Sequence, residues 1–480
     1  MRGAVFMASG GGLELLLRFG SIAVLARLLV PEDFGLVAMA TALTAVLELI
    51  RDLGLATVTV QRHDITHRQV SNLFWVNAGA GLAFTLAFWA LSPAIADFYH
   101  DQRLVAATMV VSTTFLWSGL SVQHEALMSR QLKQGDLAFI RLLASFLSIL
   151  VAVALASGKF GYWALVWREV SRSAFVAIGI WMRCPWVPGL PSQGVGTRSM
   201  LRFGRDLTMT HLLIAVVANI DRILIGRFFG PSAVGLYRQA QQLLMVPIDQ
   251  LNGPIMAVAQ PGLSALQSEP SRYRSYYEKI VFLVTLATFP LGVFVAIYAE
   301  EVTHVLLGSA WSEAAVFIRI FGIAAAIRPA SATSAVVLVT CGYSVRYFWL
   351  AVIHSVVLAA FLMTGVRWGT EGVALAHIAT TVLLMLPKLY YSFAQTPIRL
   401  GDFGSAVRTP IVAGAAMAAG LAALRSLTPV SGAVLQLFVG AGVGTALYLG
   451  AWLLQRDGRK QCDALFKDLA SSLQRKGVLG

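Results

Sequence analysis

Charged side chains stand inside runs that are otherwise apolar enough to cross a bilayer, and their spacing suggests chemistry. Arg168 and Arg172 are one helical turn apart with Glu169 beside them, so two guanidiniums share one helix face, an arrangement suited to a phosphate. Arg18 follows Glu14 by one turn, and Arg51 stands with Glu48 and Asp52. These groups read either as neutralised pairs that pin helices or as the wall of a polar cavity. Arg328 is the most isolated cation, followed by Pro329 within A-A-A-I-R-P-A-S-A-T-S. A mid-span proline frees a carbonyl and kinks its helix, so Arg328 either faces a cavity, satisfies that carbonyl, or pairs with an acid such as Asp249. Asp221, two residues after Asn219, either takes up a proton or sodium ion or neutralises Arg222. Asp249 after Pro247 and Lys388 after Pro387 are weaker versions of the same pattern. The cavity cations are thus Arg328, Arg168, Arg172, Arg18 and Arg51, and the ion-coupling carboxylates Asp221, Glu14, Glu48 and Asp249. Insertion scales set about 2.5–3.5 kcal/mol against such a charge at a helix centre, which directs most of them to the bundle interior.

The elements that must carry these groups follow from composition. Of 480 residues, 57% are hydrophobic and 13% charged, and the mean hydropathy is +0.71; soluble domains of this size do not look like this. With about 20 apolar residues per span, seven spans fall near 5–29, 34–54, 70–91, 104–127, 138–155, 161–181 and 200–225. Seven more fall near 233–258, 279–297, 314–339, 345–364, 372–393, 407–424 and 433–454. A backbone in lipid must satisfy its own hydrogen bonds, and runs this long are helices rather than barrel strands. The expectation is an all-α membrane protein of about fourteen helices, organised as 1–199, 200–394 and a terminal pair with a basic tail over 395–480.

Placing the N-terminus in the cytoplasm puts Arg62, Arg68, Arg130, Lys133, Arg183, Arg272, Arg274, Arg346 and the tail on the inner side, while Glu32, Asp33, Asp97, Asp101, Glu300, Glu301 and Glu313 collect outside. That is the positive-inside pattern, with both termini cytoplasmic in a multi-pass inner-membrane protein. It absorbs the net charge of +13, so nucleic acid is not an expected partner, whereas anionic lipid headgroups are. Cys184, Cys341 and Cys462 are scattered, which implies neither a disulfide framework nor a zinc site. His63 and His67 are one turn apart in a short basic loop without further ligands, and the Ser9–Gly12 run lacks the setting of a phosphate loop, so no metal and no cofactor are expected. Nothing at the start resembles a cleaved signal, and the first helix is expected to be retained. Tryptophans cluster near span ends as interfacial anchors, although Trp167 beside Arg168 is also placed to stack on a sugar ring.

L-A-R-L-L-V-P-E-D-F-G-L from Leu25 to Leu36 returns 200 residues later as I-G-R-F-F-G-P-S-A-V-G-L from Ile225 to Leu236. Arg27 matches Arg227, Pro31 matches Pro231, and Gly35 matches Gly235. Each copy sits where one span gives way to the next, so the chain reads as a duplicated multi-helix unit, a common plan among transporters. Here the arginines are expected to snorkel, the prolines to end each helix and the glycines to allow tight packing.

Together with D-L-G-L (Asp52–Leu55), Q-R-H-D-I-T (Gln61–Thr66), F-W-V-N (Phe74–Asn77), N-I-D-R-I-L-I-G-R-F-F-G (Asn219–Gly230) and V-G-L-Y (Val234–Tyr237), this motif resembles the Wzx/ExoT-type, WzxC-like polysaccharide flippases. These belong to the multidrug/oligosaccharidyl-lipid/polysaccharide (MOP) exporter superfamily. The resemblance covers most of residues 1–400 and implies two six-helix lobes plus two helices. It implies translocation of undecaprenyl-pyrophosphate-linked repeat units for exopolysaccharide, O-antigen or capsule, alongside polymerase and export machinery, and it implies no enzymatic activity. Asp221 with Asn219 matches the family's N-x-D. The chain departs from the pattern in its short N-terminal leader and in carrying arginine, not a neutral residue, at position 328.

Physical reasoning reaches a compatible function. Each sugar hydroxyl moved unpaired into hydrocarbon costs about 2–7 kcal/mol, so a lipid-linked glycan needs a wet path with cations for its pyrophosphate. Without a nucleotide-binding motif, an ion gradient is the expected energy source. Two other classes remain: a related exporter of cationic drugs, which calls for a more acidic cavity, and a membrane polymerase or glycosyltransferase, which calls for a longer external loop than 92–103 or 298–313.

Overall fold

The computed structural model describes residues 2–48, 55–62, 64–192, 197–427, 432–456 and 458–459, with side chains left aside at 2–11, 43–48 and 197–218. Arg51, Asp52 and the Glu48 side chain, with His63 and most of the tail including Cys462, fall outside the described residues. The described helices are, first, α1 Arg2–Leu28, α2 Pro31–Glu48, α3 Leu55–Gln61, α4 His67–Tyr99, α5 Arg103–Arg130, α6 Gln134–Ser157, α7 Trp163–Arg183 and α8 Thr197–Ala265. Then follow α9 Pro270–Ile297, α10 Ala299–Leu306, α11 Ala314–Thr340, α12 Ser344–Gly365, α13 Gly369–Phe393, α14 Leu400–Leu427 and α15 Ala433–Leu454. Among the described residues there is no strand. Among the described residues, eight helical stretches are long and apolar enough to cross a membrane by length and composition, and the protein is a multi-pass membrane protein.

The expected seventh and eighth spans are the two arms of α8, which break only at Gly230, where φ is 78°. A left-handed residue interrupts the helix at little cost when it is glycine. Pro231 then opens the second arm, and Pro31 is the first residue of α2. Proline is pre-organised for a first helical turn, where its missing N–H leaves nothing unsatisfied. The two prolines therefore start helices, a correction to the expectation that they end them. Glu32 and Asp33 occupy the first turn of α2, where the positive end of the helix dipole favours acids.

The chain divides into two compact units. The first comprises residues 1–238 with 366–370, and the second 239–365 with 371–480. In the first, α5 packs against α2, α3, α4 and α7, while α6 joins α7 to α1. In the second, α9 packs against α11 and α14, with α15 on α14. Both units use one device at a close helix crossing. A Cβ on Gly81 of α4 would lie 2.5 Å from the Phe115 carbonyl oxygen, and one on Gly119 of α5 would lie 2.5 Å from that of Asn77. In the second unit, a Cβ on Gly292 of α9 would lie 2.7 Å from the Gly322 carbonyl oxygen of α11. Small residues let helix backbones touch where lipid supplies no hydrophobic drive to association.

Of the acids assigned to the outer side, Glu32, Asp101, Glu300 and Glu301 are ion-paired. Arg103 bonds Glu32 at 2.6 Å and Asp101 at 2.8 Å. Arg425 bridges Glu300 at 2.9 Å and Glu301 at 3.0 Å, and Arg319 reaches Glu300 at 2.8 Å. The hydrogen bond from Arg319, aided by the charge of Arg425, holds the Glu300 carboxyl below its ordinary range. A depressed carboxylate contributes stability that is complete above its unfolded pKa and is lost as pH falls through the folded value. The Arg319→Gln/Arg425→Gln protein is therefore expected to lose less Tm than wild type between about pH 5 and pH 3. Parallel Tm–pH curves would refute this.

Candidate functional site

The charged residues gather around a cavity of about 480 Å3 inside the first unit. Helix α5 supplies one wall through Val111, Thr114, Ser118, Ser121 and Glu125. Those positions advance by three, four, three and four residues, so they form one stripe on a helix. Helix α7 supplies Glu169, Arg172, Ser173 and Val176 by the same rule. Glu14 of α1, Thr41 of α2, Arg141 of α6, and Arg222 and Arg238 of α8 complete it.

Four arginines thus face Glu14, Glu125 and Glu169 across a wall of hydroxyls. Arg141 is ion-paired with Glu125. Arg172 donates from Nε to Ser145 Oγ at 3.4 Å. Arg238 donates from Nη1 to Thr41 Oγ1 at 3.1 Å and lies within electrostatic range of Arg222, Glu169, Arg168 and Arg18. Asp221 is buried beneath this ridge. Its Oδ2 accepts from the Tyr237 hydroxyl at 2.8 Å and its Oδ1 from the Arg222 backbone N–H at 2.8 Å, with Arg222 Nε 4.0 Å away. Each oxygen of Asp221 thus accepts one hydrogen bond.

Of the cations named from the sequence, Arg172 lines the cavity and Arg18 and Arg168 stand behind it, near Arg238. Arg168 Nε is buried without a hydrogen-bond partner. Glu14 lines the cavity, and Asp249 is exposed in the second unit. Arg328, also in the second unit, donates to Met245 Sδ at 3.7 Å, and Pro329 lies inside α11. His67 contacts the Val187 carbonyl oxygen at 3.2 Å and the Trp186 ring. Among the described residues no cluster of three metal-binding side chains occurs. Sequence reasoning missed Glu125, Arg141 and Arg238. The first two were legible as charges inside the spans 104–127 and 138–155. Arg238 was not, because its span mixes polar and apolar residues throughout.

The two copies of the repeat meet within the first unit. A Cβ on Gly35 would lie 1.6 Å from the Pro231 carbonyl oxygen, and a Cβ on Gly235 would lie 1.9 Å from that of Pro31. Each glycine therefore seats the other copy's proline peptide, a reciprocal contact about a local pseudo-dyad. Arg227 stacks over Phe98 with 5.7 Å to the ring centroid, while Arg27 is exposed.

These helices place the protein among multi-pass membrane proteins of one fold. It aligns over 94% of its length with 98% of the lipid II flippase MurJ in an inward closed conformation, at TM-score 0.74 and 11% identity. It aligns over 82% with 95% of an inward-facing MATE multidrug resistance transporter of the MOP superfamily, at TM-score 0.64 and 14% identity. The chain belongs to the polysaccharide biosynthesis protein family, whose pattern it matches over residues 24–316. It is 26% identical to the teichuronic acid biosynthesis protein TuaB of Bacillus subtilis (strain 168), covering 67% of this chain and 68% of that one. It is 24% identical to the lipopolysaccharide biosynthesis protein WzxC of Escherichia coli (strain K12), over 60% of this chain and 59% of that one. Against the succinoglycan biosynthesis transport protein ExoT of Rhizobium meliloti (strain 1021), identity is 24% over 90% of this chain and 88% of that one.

Proposed function

We propose that this protein is a flippase that moves polyprenyl-pyrophosphate-linked oligosaccharide units across the bacterial inner membrane for surface polysaccharide synthesis. The observation that carries the reading is the polar cavity within membrane-spanning helices of a chain from this family. Its hydroxyls, arginines and glutamates replace the hydrogen bonds a glycan gives up on leaving water, each worth about 2–7 kcal/mol in hydrocarbon. The lipid tail can stay in the bilayer while the headgroup crosses. Residues 1–199 and 200–394 act as the two alternating-access lobes, with the basic face and both termini in the cytoplasm drawing the anionic carrier to the inner leaflet. The coupling ion moves with the membrane potential, which supplies about 2.3 kcal/mol per charge per 100 mV. A downstream polymerase removes the flipped product.

Reconstituted in proteoliposomes, the protein is expected to expose a fluorescent polyprenyl-pyrophosphate oligosaccharide to a membrane-impermeant quencher, faster under an imposed proton or sodium gradient. Movement of a cationic dye without movement of the glycolipid would favour a drug exporter, and growth of the glycan chain would favour a polymerase.

A further inference from the structure

The second unit holds a different collection of charge. His354 of α12 lies within electrostatic range of Arg328 of α11 and of His377 and Lys388 of α13, and Lys388 lies within range of Arg328. The Phe321 and His377 rings meet at 6.3 Å between centroids, which sets α11 beside α13. In the chain those helices are separated by α12, which packs against α11. Arg328 is seven residues beyond Phe321 and Lys388 eleven beyond His377, so each cation lies about 10 and 16 Å, respectively, along its own helix from the ring contact.

Charge compensation separates this cluster from the cavity of the first unit. There, Glu14, Glu125, Glu169 and the nearby Asp221 stand among the arginines and offset part of their charge. Here, the charged neighbours of His354 are all basic. Among the described residues neither Arg328 nor Lys388 forms an ion pair, and the guanidinium of Arg328 meets only a thioether sulfur, a weak neutral acceptor. Cations left uncompensated inside apolar helices are costly, and such groups mark ion or substrate sites by default.

We propose that Arg328, Lys388 and His354 form an anion site for a diphosphate group, leaving the hydroxyl-lined cavity of the first unit, where glutamates stand among the arginines, to neutral saccharide. A diphosphate carries several acceptor oxygens and more than one negative charge, matching a planar guanidinium fork, a mobile ammonium and an imidazole N–H. The proposal deepens the flippase reading and rests on it for the nature of the carried lipid.

The test measures binding of farnesyl diphosphate to the full-length protein in phosphatidylcholine nanodiscs, by calorimetry and by the rise in Tm. Wild type is expected to bind it. The Arg328→Gln/Lys388→Gln protein is expected to bind at least about tenfold more weakly, since two charge-assisted contacts are lost. Arg328→Lys should retain part of the affinity, and Arg272→Gln on the surface all of it. Without ligand, the double variant should melt at or above the wild-type temperature, because it removes uncompensated charge. Undiminished binding by the double variant would overturn the site. Displacement of farnesyl diphosphate by phosphatidylglycerol added to the nanodiscs would also overturn it, assigning the cluster to bulk lipid headgroups. Diphosphate binding by a protein that moves no glycolipid would leave the site standing and refute the transport reading instead.

Discussion

Gly235→Val is expected to abolish accumulation of monodisperse protein in detergent, and Gly35→Val to do the same. At either position the first side-chain atom would fall 1.9 Å or 1.6 Å from a backbone carbonyl oxygen, far inside van der Waals contact. The obstacle is main chain anchored by Pro31 or Pro231, so no rotamer change relieves it. Overpacking of ordinary cores costs about 1–3 kcal/mol, and a helix displaced bodily by an ångström or more forfeits its neighbouring contacts as well. Gly230→Ala is the informative contrast. Nothing lies within 4 Å of a Cβ there, and the penalty is limited to holding alanine at φ 78°, ψ −177°, a region essentially reserved to glycine that costs about 1–3 kcal/mol. That variant should fold with a reduced Tm. Because the two glycines face each other across one contact, the Gly35→Ala/Gly235→Ala protein should be less destabilised than the sum of the single variants. Additive losses, or normal accumulation of the valine variants by fluorescence-detected size exclusion, would refute the reciprocal seat.

Arg238→Ala is expected to lower glycolipid translocation at least tenfold while leaving the protein folded. Arg238 lies on the cavity wall, holds α2 through Thr41, and faces Glu169 among the charges of Arg222, Arg168 and Arg18. Removing it leaves Glu169 with less compensation and deletes a five-donor guanidinium from the surface that receives the glycan. Lysine keeps the charge but loses the planar fork, so Arg238→Lys should recover part of the rate. Thr41→Val separates the two roles: it removes one hydrogen bond, worth about 1 kcal/mol, and keeps every cation. It should cost a little Tm and little transport. Equal rates for Arg238→Ala and wild type in the quenching assay would remove this arginine from the substrate path.

How much of this was visible in the sequence differs by residue. The repeat was plain, and so was the importance of Gly35 and Gly235, because a backbone that must be approached closely leaves glycine as its signature in the chain. The partner was not visible: nothing in either copy says that the other copy's proline peptide occupies the space. The stripe from Val111 to Glu125 has helical spacing that can be counted, yet spacing alone does not tell a lipid face from a cavity face. Arg168 and Arg172 illustrate this. They share a helix stripe, but Arg172 reaches the cavity while Arg168 stays behind it with a buried Nε.

The sequence by itself determined the solvent, the class and the duplicated plan of this protein. Hydropathy and the positive-inside bias are sums over many residues, and such sums survive ignorance of any contact. Only the tertiary structure decided which charges meet. It paired Arg141 of α6 with Glu125 of α5, gave both oxygens of Asp221 a donor, and left Arg328 and Lys388 together without an acid. Compensation of a charge in low dielectric depends on distances of a few ångströms, and those distances are set by helix rotation and crossing, which the linear order of residues does not contain.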